Sequence, residues 1–173
     1  MASGQSAGEI LLMLKSILSK EECASCRFCC SFRRKSLWET PLFDSSAKEK
    51  LEKRFPSVRF KKAGKNSFTV DLLHLYKSDD SEEEAPCPFL SESGCVLPLD
   101  EKPFDCSIWP LRVCEIAGKA RVMLENTCPA INRQPAQNVE NLLKNSLGEK
   151  ILSYAERNPD MVKDFSPEFK IVF

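Results

Sequence analysis

The chain has 173 residues, of which 42% are hydrophobic and 29% charged, a composition typical of a folded globular protein and not of a disordered one. Its 25 lysines and arginines equal its 25 aspartates and glutamates, and this lack of a basic excess argues against a nucleic-acid partner. The apolar runs fall short of the roughly 18 residues that cross a bilayer, so we expect no membrane partner.

The first predicted element is an amphipathic helix over residues 9–20. Its apolar residues recur at helical spacing on one face, namely Ile10, Met13, Leu14, Ile17 and Leu18. The segment lacks a basic start and carries Glu9 and Lys15, which is not the pattern of a secretory signal peptide. We therefore expect a cytoplasmic protein whose thiols are kept reduced.

A short helix and a hairpin are predicted next. A capping box that begins at Ser46 opens a helix that ends near Arg54. Strand-like composition over Val58–Lys62 and Phe68–Tyr76, with a turn at Gly64, predicts a hairpin.

Two irregular stretches follow this hairpin. The acidic run 78–84 predicts a solvated loop, because it lacks the spacing of a calcium-binding loop. Residues 86–110 are rich in proline and turn residues and show no helical period. Such a loop needs anchors, and we expect Cys87, Cys95 and Cys106 to provide them.

The last third of the chain predicts regular elements again. Alternating strands over 111–116 and 120–126 flank Ala117-Gly118-Lys119, a hairpin turn. Residues 136–157 predict one long helix, and 169–173 a docked terminal strand. The fold class predicted for residues 1–173 is therefore α+β: a small single domain with an irregular cysteine-rich metal-binding core, short β-hairpins and packing helices at both ends.

The chemistry of the chain is concentrated in its nine cysteines. They are Cys23, Cys26, Cys29, Cys30, Cys87, Cys95, Cys106, Cys114 and Cys128. The first four form C-x2-C-x2-C-C, and two-residue spacings let thiolates converge on one centre, as in zinc knuckles and ferredoxin-like loops. A disulfide framework does not suit an odd number in a reducing compartment, and the strand and helix of a thioredoxin-like motif are missing.

The type of donor atom limits the choice of metal, and individual residues limit the choice of ligands. An all-sulfur donor set suits zinc, an iron–sulfur cluster or copper(I). His74, the only histidine, is expected on the surface or in packing rather than at a metal. Cys114 lies in an alternating strand and is expected to be buried and not a ligand. Cys29 and Cys30 are expected to point in different directions, serving two centres or bridging them.

The order of the cysteine motifs resembles the YkgJ-type cysteine-cluster family. The matching pieces are CxxCxxCC at 23–30, Cys87-Pro88-Phe89-Leu90, Gly94-Cys95, Pro103-x2-Cys106 with Pro110, and Cys128-Pro129-Ala130-Ile131. They cover roughly residues 23–131. The resemblance implies a zinc- or iron-chelating domain without an established reaction.

Several departures from the family pattern leave every thiolate in place. Phe28 replaces a glycine, and Lys102 and Ser107 replace arginines, which puts in doubt any role of those arginines in holding an anion. Flagellin lysine-N-methylases carry a related cluster, which suggests an enzyme linked to S-adenosylmethionine. The radical-enzyme spacing C-x3-C-x2-C is incomplete here, because Arg33 stands where its last cysteine would be.

We therefore expect a metal-binding protein with an iron–sulfur cluster favoured over zinc. A cluster-dependent enzyme and a structural zinc module for protein interaction are the alternatives, and the protein or small-molecule partner is unknown. The expected metal ligands are Cys23, Cys26, Cys29, Cys30, Cys87, Cys95, Cys106 and Cys128.

Overall fold

A computed structural model describes Met13, Leu14 and residues 16–173 of the chain. Met13 and Leu14 are helical, as predicted, but the prediction of one helix over 9–20 was wrong at 16–19. The chain turns at residues 16 and 17, and Ser19 is extended and caps a new helix that begins at Lys20. Ile10 and the rest of that prediction up to residue 12 lie outside the described residues, as does Lys15. The described part of the chain has an α+β fold, in agreement with the prediction.

The helices are short, at most ten residues each among those the structure describes. The α-helices are α1 (Lys20–Cys26), α2 (Ser45–Arg54), α3 (Phe104–Ile108), α4 (Pro129–Asn132), α5 (Ala136–Leu142) and α6 (Gly148–Arg157). Single 3₁₀ turns or short 3₁₀ runs occupy Phe28–Cys30, Arg34–Glu39, Leu73–Leu75 and Pro159–Met161.

The strands are equally short and form several small sheets. They are β1 (Ser31–Arg33), β2 (Leu42–Phe43), β3 (Phe60–Lys62), β4 (Phe68–Val70), β5 (Glu84–Pro86), β6 (Leu90–Ser91), β7 (Gly94–Cys95), β8 (Leu111–Ile116), β9 (Lys119–Leu124), β10 (Lys163–Asp164) and β11 (Lys170–Ile171). The sheet orders are β1-β5, β2-β4-β3, β6-β7 and β10-β8-β9-β11.

The largest sheet is built on the predicted β8–β9 hairpin. Ala117 and Gly118 both have positive φ, 50° and 75°, which is the backbone of a two-residue turn that matches strand twist. The predicted terminal strand is also present, since β11 pairs antiparallel with β9. β10 adds a parallel edge beside β8.

The helix predicted over 136–157 is interrupted, and this prediction was wrong as a single element. A π-helical segment, Leu143–Leu147, separates α5 from α6, and Asn145 and Ser146 leave the helical region there. Ser146 has a φ of 83°, which inserts a local bulge in an otherwise helical span. The bulge allows Leu143 and Leu147 to remain fully buried on either side of it.

The predicted hairpin near Gly64 is confirmed as β3–β4, although β4 ends at Val70 and a 3₁₀ turn follows. The helix beside it also forms, but its cap differs from the prediction. Asp44, and not Ser46, caps α2 by accepting a 2.8 Å hydrogen bond from the Ala47 amide.

Two hydrophobic clusters hold the fold together. One packs the β8–β9 sheet against α3, α5 and α6 and includes Ile108, Leu147 and Ile151. The other packs the β2-β4-β3 sheet against α2 and includes Phe43 and Phe89. The cysteine segments lie between these clusters, because β1 and β5 belong to the second and α3 and α4 to the first.

The acidic run 78–84 forms ion pairs with the basic residues that follow the CxxCxxCC motif. Glu82 forms ion pairs with Arg33 and Lys35, and Arg34 pairs with Asp79. The acidic loop is largely exposed, as predicted, and it adjoins the Arg33–Glu84 end of the β1–β5 ladder. Within the described residues, no helix is both long and apolar enough to cross a bilayer.

Candidate metal centre

The first two cysteines lie on a helix rather than in a tight turn. Cys23 and Cys26 are three residues apart on α1, a spacing that puts side chains on one helical face. Ser19 and Glu22 form a reciprocal capping box that fixes where the helix begins. Arg27 ends it with a φ of 55°.

The second pair of cysteines is held by the turn that follows. Cys30 donates its amide to the Arg27 carbonyl at 3.0 Å, closing the 3₁₀ turn Phe28–Cys30. Its own carbonyl accepts the Cys87 amide at 2.7 Å. Because Ser31 pairs with Pro86 at the start of the β1–β5 ladder, Cys30 and Cys87 are adjacent in register.

Cys95 reaches the same region through the β6–β7 turn. Leu90 pairs with Cys95, and the turn between them lies against α1. A side chain on Gly94, whose φ is 97°, would come within 3.2 Å of the Ala24 Cβ. The Arg27 guanidinium also donates a 2.6 Å hydrogen bond to the Glu92 carbonyl. The absence of a Cβ at Gly94 therefore permits the close approach of this turn to the cysteine helix.

Cys106 and Cys128 come from the other side of the molecule. Cys106 lies on α3, and Cys128 directly precedes α4. An exposed 3.0 Å ion pair between Arg133 and Glu22 joins the end of α4 to the start of α1. The structure thus brings cysteines from distant parts of the chain to one region between the two hydrophobic clusters.

The thiols are close enough to alter one another's ionisation. Burial, followed by the negative charge of Cys128, raises the pKa of Cys23 to about 11, and Cys30 and Cys26 add to the rise. Burial also raises the pKa of Cys128, where the charge of Cys26 contributes and the backbone N–H groups of Ile131 and Ala130 oppose it. These thiols favour the protonated state in the absence of a cation.

The downstream thiols behave in the same way. Burial raises the pKa of Cys87 to about 12; the Phe89 N–H opposes this, and the charges of Cys30 and Cys95 add to it. The pKa of Cys106 is raised by burial and then by Cys87 and Cys30. Cys106 nevertheless has exposed surface, as Cys23 does.

Cys29 and Cys30 do not diverge as their adjacency in the sequence led us to expect. The Cys29 thiol donates a hydrogen bond to the Cys30 sulfur. That bond, ahead of burial, raises the pKa of Cys29, and it lowers the pKa of Cys30 to about 7 with help from the Lys102 charge. The pair therefore acts as one unit, and Cys29 is also influenced by Cys106 and Cys23.

Cys114 lies apart from this set, and its predicted burial in a strand is confirmed. It is 0% exposed within β8. After burial, the groups that influence its pKa are Arg112, Glu125, Asp164 and Lys163, none of which is a thiol. His74 is exposed on the 3₁₀ turn Leu73–Leu75, as expected of a surface histidine.

The thiols do not form a finished coordination site in this structure. In the part of the chain that is described, no three or more histidine, cysteine, aspartate or glutamate side chains converge closely enough to hold a metal ion. All nine cysteines are described, and none is joined in a disulfide. The donor chemistry is nevertheless that of zinc and iron–sulfur sites, since both take thiolate ligands.

A buried charge cluster beside the thiols was not predicted from the sequence. Arg112 is 5% exposed, and its guanidinium lies 3.8 Å from the Asp105 carboxylate and 3.6 Å from the Glu125 carboxylate. Asp105 also accepts the Leu42 amide at 3.0 Å. The Arg112 guanidinium lies over the Trp109 ring, 4.6 Å from its centroid. The one sequence signal for this cluster was an arginine between buried apolar residues of β8.

Comparisons with known proteins found no relative of this chain. No family model matches it, no curated protein matches its sequence, and no solved structure matches its fold.

Proposed function

We propose that the protein binds a metal centre through cysteine thiolates, and we favour an iron–sulfur cluster over zinc. The proposed ligands are the eight cysteines other than Cys114. The observation that supports the proposal is that these eight thiols form one connected set, in which each thiolate alters the pKa of a neighbour or is altered by one. Cys114, predicted not to be a ligand, has no thiol among the groups that shift its pKa.

The ionisation of the set favours a cation as its missing partner. Cys23, Cys29, Cys87, Cys106 and Cys128, whose pKa values are raised, are neutral on their own at physiological pH, whereas a bound metal deprotonates its thiol ligands outright. Lys102 is the cation whose charge favours the thiolates of Cys23 and Cys30. One ammonium cannot neutralise eight thiolates, so a metal centre would supply the charge that the protein lacks.

Metal binding would also complete the fold of the cysteine segments. Cys87 and Cys95 are connected to α1 through short ladders, the close approach at Gly94 and a few hydrogen bonds. Because the thiols do not yet converge, a bound metal would draw these segments together and stabilise them. We therefore propose that binding and ordering of the 86–95 segment are coupled.

The choice of an iron–sulfur cluster follows from the number and setting of the sulfur atoms. Eight thiols exceed the four that close one structural zinc site. N–H groups from Phe89 and Ile131 lie beside the Cys87 and Cys128 sulfurs, an arrangement that tunes cluster potentials. We also propose a cytoplasmic location, because that compartment keeps the thiols of a cysteine-rich chain reduced.

Anaerobic purification with metal and sulfide analysis tests the proposal. A brown protein with iron, acid-labile sulfide and broad absorption near ~400 nm supports the iron–sulfur cluster. A colourless protein with stoichiometric zinc would replace it by the structural zinc module. A chain that takes up neither metal after reconstitution would refute the proposal as a whole.

Two alanine variants test the division of the cysteines. Cys26→Ala removes an exposed proposed ligand with little effect on core packing, and we expect it to reduce metal content severely. Cys114→Ala removes a fully buried thiol outside the set, and we expect full metal content with some loss of stability. Equal metal loss in both variants would contradict the proposed ligand set.

A further inference from the structure

An open groove lies between α6 and strands β8, β9 and β10 of the largest sheet. Its volume is about 770 Å³, and none of the nine cysteines lines it. Its floor is apolar, since Ala155 is buried and Leu152 and Val162 are half-buried there. The groove is therefore a surface separate from the proposed metal centre.

The register of the sheet brings two carboxylates to one wall of this groove. Asp164 pairs with Glu115, and Glu115 pairs in turn with Ala120. Residues that pair across neighbouring strands lie on the same face of a sheet, so these three side chains form a row. All three are exposed and line the groove.

Helix α6 adds two carboxylates on the opposite wall. Glu149, Ser153 and Glu156 follow one another at spacings of four and three residues, which places them on one face of the helix. All three are exposed and line the groove. Both walls of the groove therefore carry acidic side chains above the apolar floor.

The lining of the groove is strongly acidic as a whole. It contains four carboxylates and one cation, namely Glu115, Glu149, Glu156 and Asp164 against Lys163. Among the residues that the structure describes, none of these four carboxylates forms an ion pair. The charge of the lining therefore fits a cationic ligand.

The single lysine does not share the face of the sheet on which the acids lie. Successive side chains of β10 point to opposite faces, and Lys163 pairs with Cys114, which is 0% exposed. Burial lowers the pKa of Lys163, and the next contributions come from Asp105 and Arg112 of the buried charge cluster. Lys163 therefore leaves the negative charge of the groove largely uncompensated.

The spread of the carboxylates favours an extended ligand over a single ion. In the described part of the chain, no three acidic, histidine or cysteine side chains converge closely enough to hold a metal ion. Arginine and lysine side chains of a peptide carry positive charges at intervals, and their aliphatic stems pack on apolar surface while the charged ends reach carboxylates. A basic peptide therefore matches both the walls and the floor.

We propose that this groove is a docking surface for a basic peptide segment of a partner protein. Its arginine or lysine side chains pair with Glu115, Glu149, Glu156 and Asp164, and the apolar side chains between them pack on the floor of the groove. Arginine suits the acids best, because its guanidinium binds a carboxylate through two hydrogen bonds. The proposal goes beyond metal binding and does not depend on it.

Calorimetric titration of the full-length protein as purified tests the groove with defined probes. The probes are short peptides of alternating arginine and leucine, arginine and glycine, or glutamate and leucine, together with spermine. We expect the arginine–leucine peptide to bind with Kd below about 1 mM, the arginine–glycine peptide about fivefold more weakly, and the glutamate–leucine peptide not measurably. Raising the ionic strength from about 0.05 M to about 0.5 M should weaken binding at least about fivefold.

Charge-matched variants locate the binding. Glu149→Gln with Glu156→Gln removes two carboxylates of the groove, and we expect about fivefold weaker binding of the arginine–leucine peptide. Glu49→Gln with Glu168→Gln removes two exposed carboxylates elsewhere and should leave the affinity within about twofold. Circular dichroism confirms that both double variants are folded.

Four results would overturn the proposal. They are equal weakening in the two double variants, spermine binding as tightly as the arginine–leucine peptide, binding of the glutamate–leucine peptide with the same affinity, and no binding of either arginine peptide. Spermine in place of the peptide would identify a site for small polycations and not for a protein segment.

Discussion

Replacing Glu125 by glutamine should raise the free energy of unfolding at high pH and leave it unchanged at low pH. Glu125 is 2% exposed, and its side chain lies beside Arg112 and accepts the Thr127 hydroxyl at 3.0 Å. Its Oε1 has no hydrogen-bond donor among the described residues. Burial, together with the nearby Glu39 charge and against the opposing Arg112 charge, raises the pKa of Glu125 to about 7.

The sign of the effect follows from proton linkage. The folded pKa lies above the ordinary value of 4.5, so between these values the folded protein holds a proton that the unfolded chain has lost. The free energy of unfolding therefore falls as pH rises from about 4.5 to about 7. Since one pKa unit corresponds to about 1.4 kcal/mol, the total cost is on the order of 3 kcal/mol.

Glutamine keeps the shape of the side chain but does not ionise. Glu125→Gln should match the native protein near pH 4 and exceed its unfolding free energy by up to about 3 kcal/mol near pH 8. Urea unfolding across that pH range, under anaerobic reducing conditions, measures the difference directly. Effects of the thiols on pH dependence are shared by both proteins and cancel in the comparison.

Glu115→Gln is the matched control, because Glu115 is an exposed carboxylate on the adjoining strand β8. Its difference from the native protein should stay within about 0.5 kcal/mol at every pH. A constant difference between Glu125→Gln and the native protein from about pH 4 to about pH 8 would refute the assignment of a buried, proton-holding Glu125.

Four further changes have expected outcomes. Tyr76→Phe removes a buried 2.7 Å hydrogen bond to the Phe32 carbonyl and should lower the unfolding free energy by about 1 kcal/mol in urea. Ser146 has a φ of 83°, which glycine adopts without strain, so Ser146→Gly should raise the unfolding free energy by about 1 kcal/mol. Gly94→Ala places a methyl group near Ala24 at a φ of 97° and should lower the unfolding free energy by at least about 1 kcal/mol. Adding Ala24→Gly to this variant removes the contact but not the backbone strain, so it should restore only part of the lost unfolding free energy. Chelation of the proposed metal centre should make the 86–95 segment cleave faster in limited proteolysis, with no change in cleavage at the Ala117-Gly118 turn.

Local sequence patterns were sufficient where a single signal dominated. The β8–β9 hairpin was predictable because alternating strands flank Ala117-Gly118, and only a few turn geometries join such strands. The buried position of Cys114 followed from the same alternation. The break between α5 and α6 was not predicted, because Asn145 and Ser146 are weak helix formers but do not by themselves end a helix, and Leu143 and Leu147 stay buried on either side of the bulge.

The sequence named candidate ligands but could not give their arrangement, and the ligand set stays a prediction. Motif spacing proposed eight cysteines, strand alternation excluded Cys114, and the structure adds which thiols influence one another. Spacing could not give the contact between Cys29 and Cys30, which depends on the 3₁₀ turn that contains them. The Arg112 cluster could not be predicted from the sequence. Its members, Asp105, Arg112 and Glu125, come from different elements that only the tertiary fold brings together.

Helix α3 contacts three groups of residues that lie far from one another in the sequence. A helix of five residues has no stability of its own, so its position is set by its contacts. Phe104 stacks on Tyr154, Asp105 joins the buried charges, and Cys106 belongs to the thiol set. Ile108 is 0% exposed in the core and anchors the end of the helix. Consecutive residues of α3 therefore contact the Tyr154 ring, the buried charges and the thiol set.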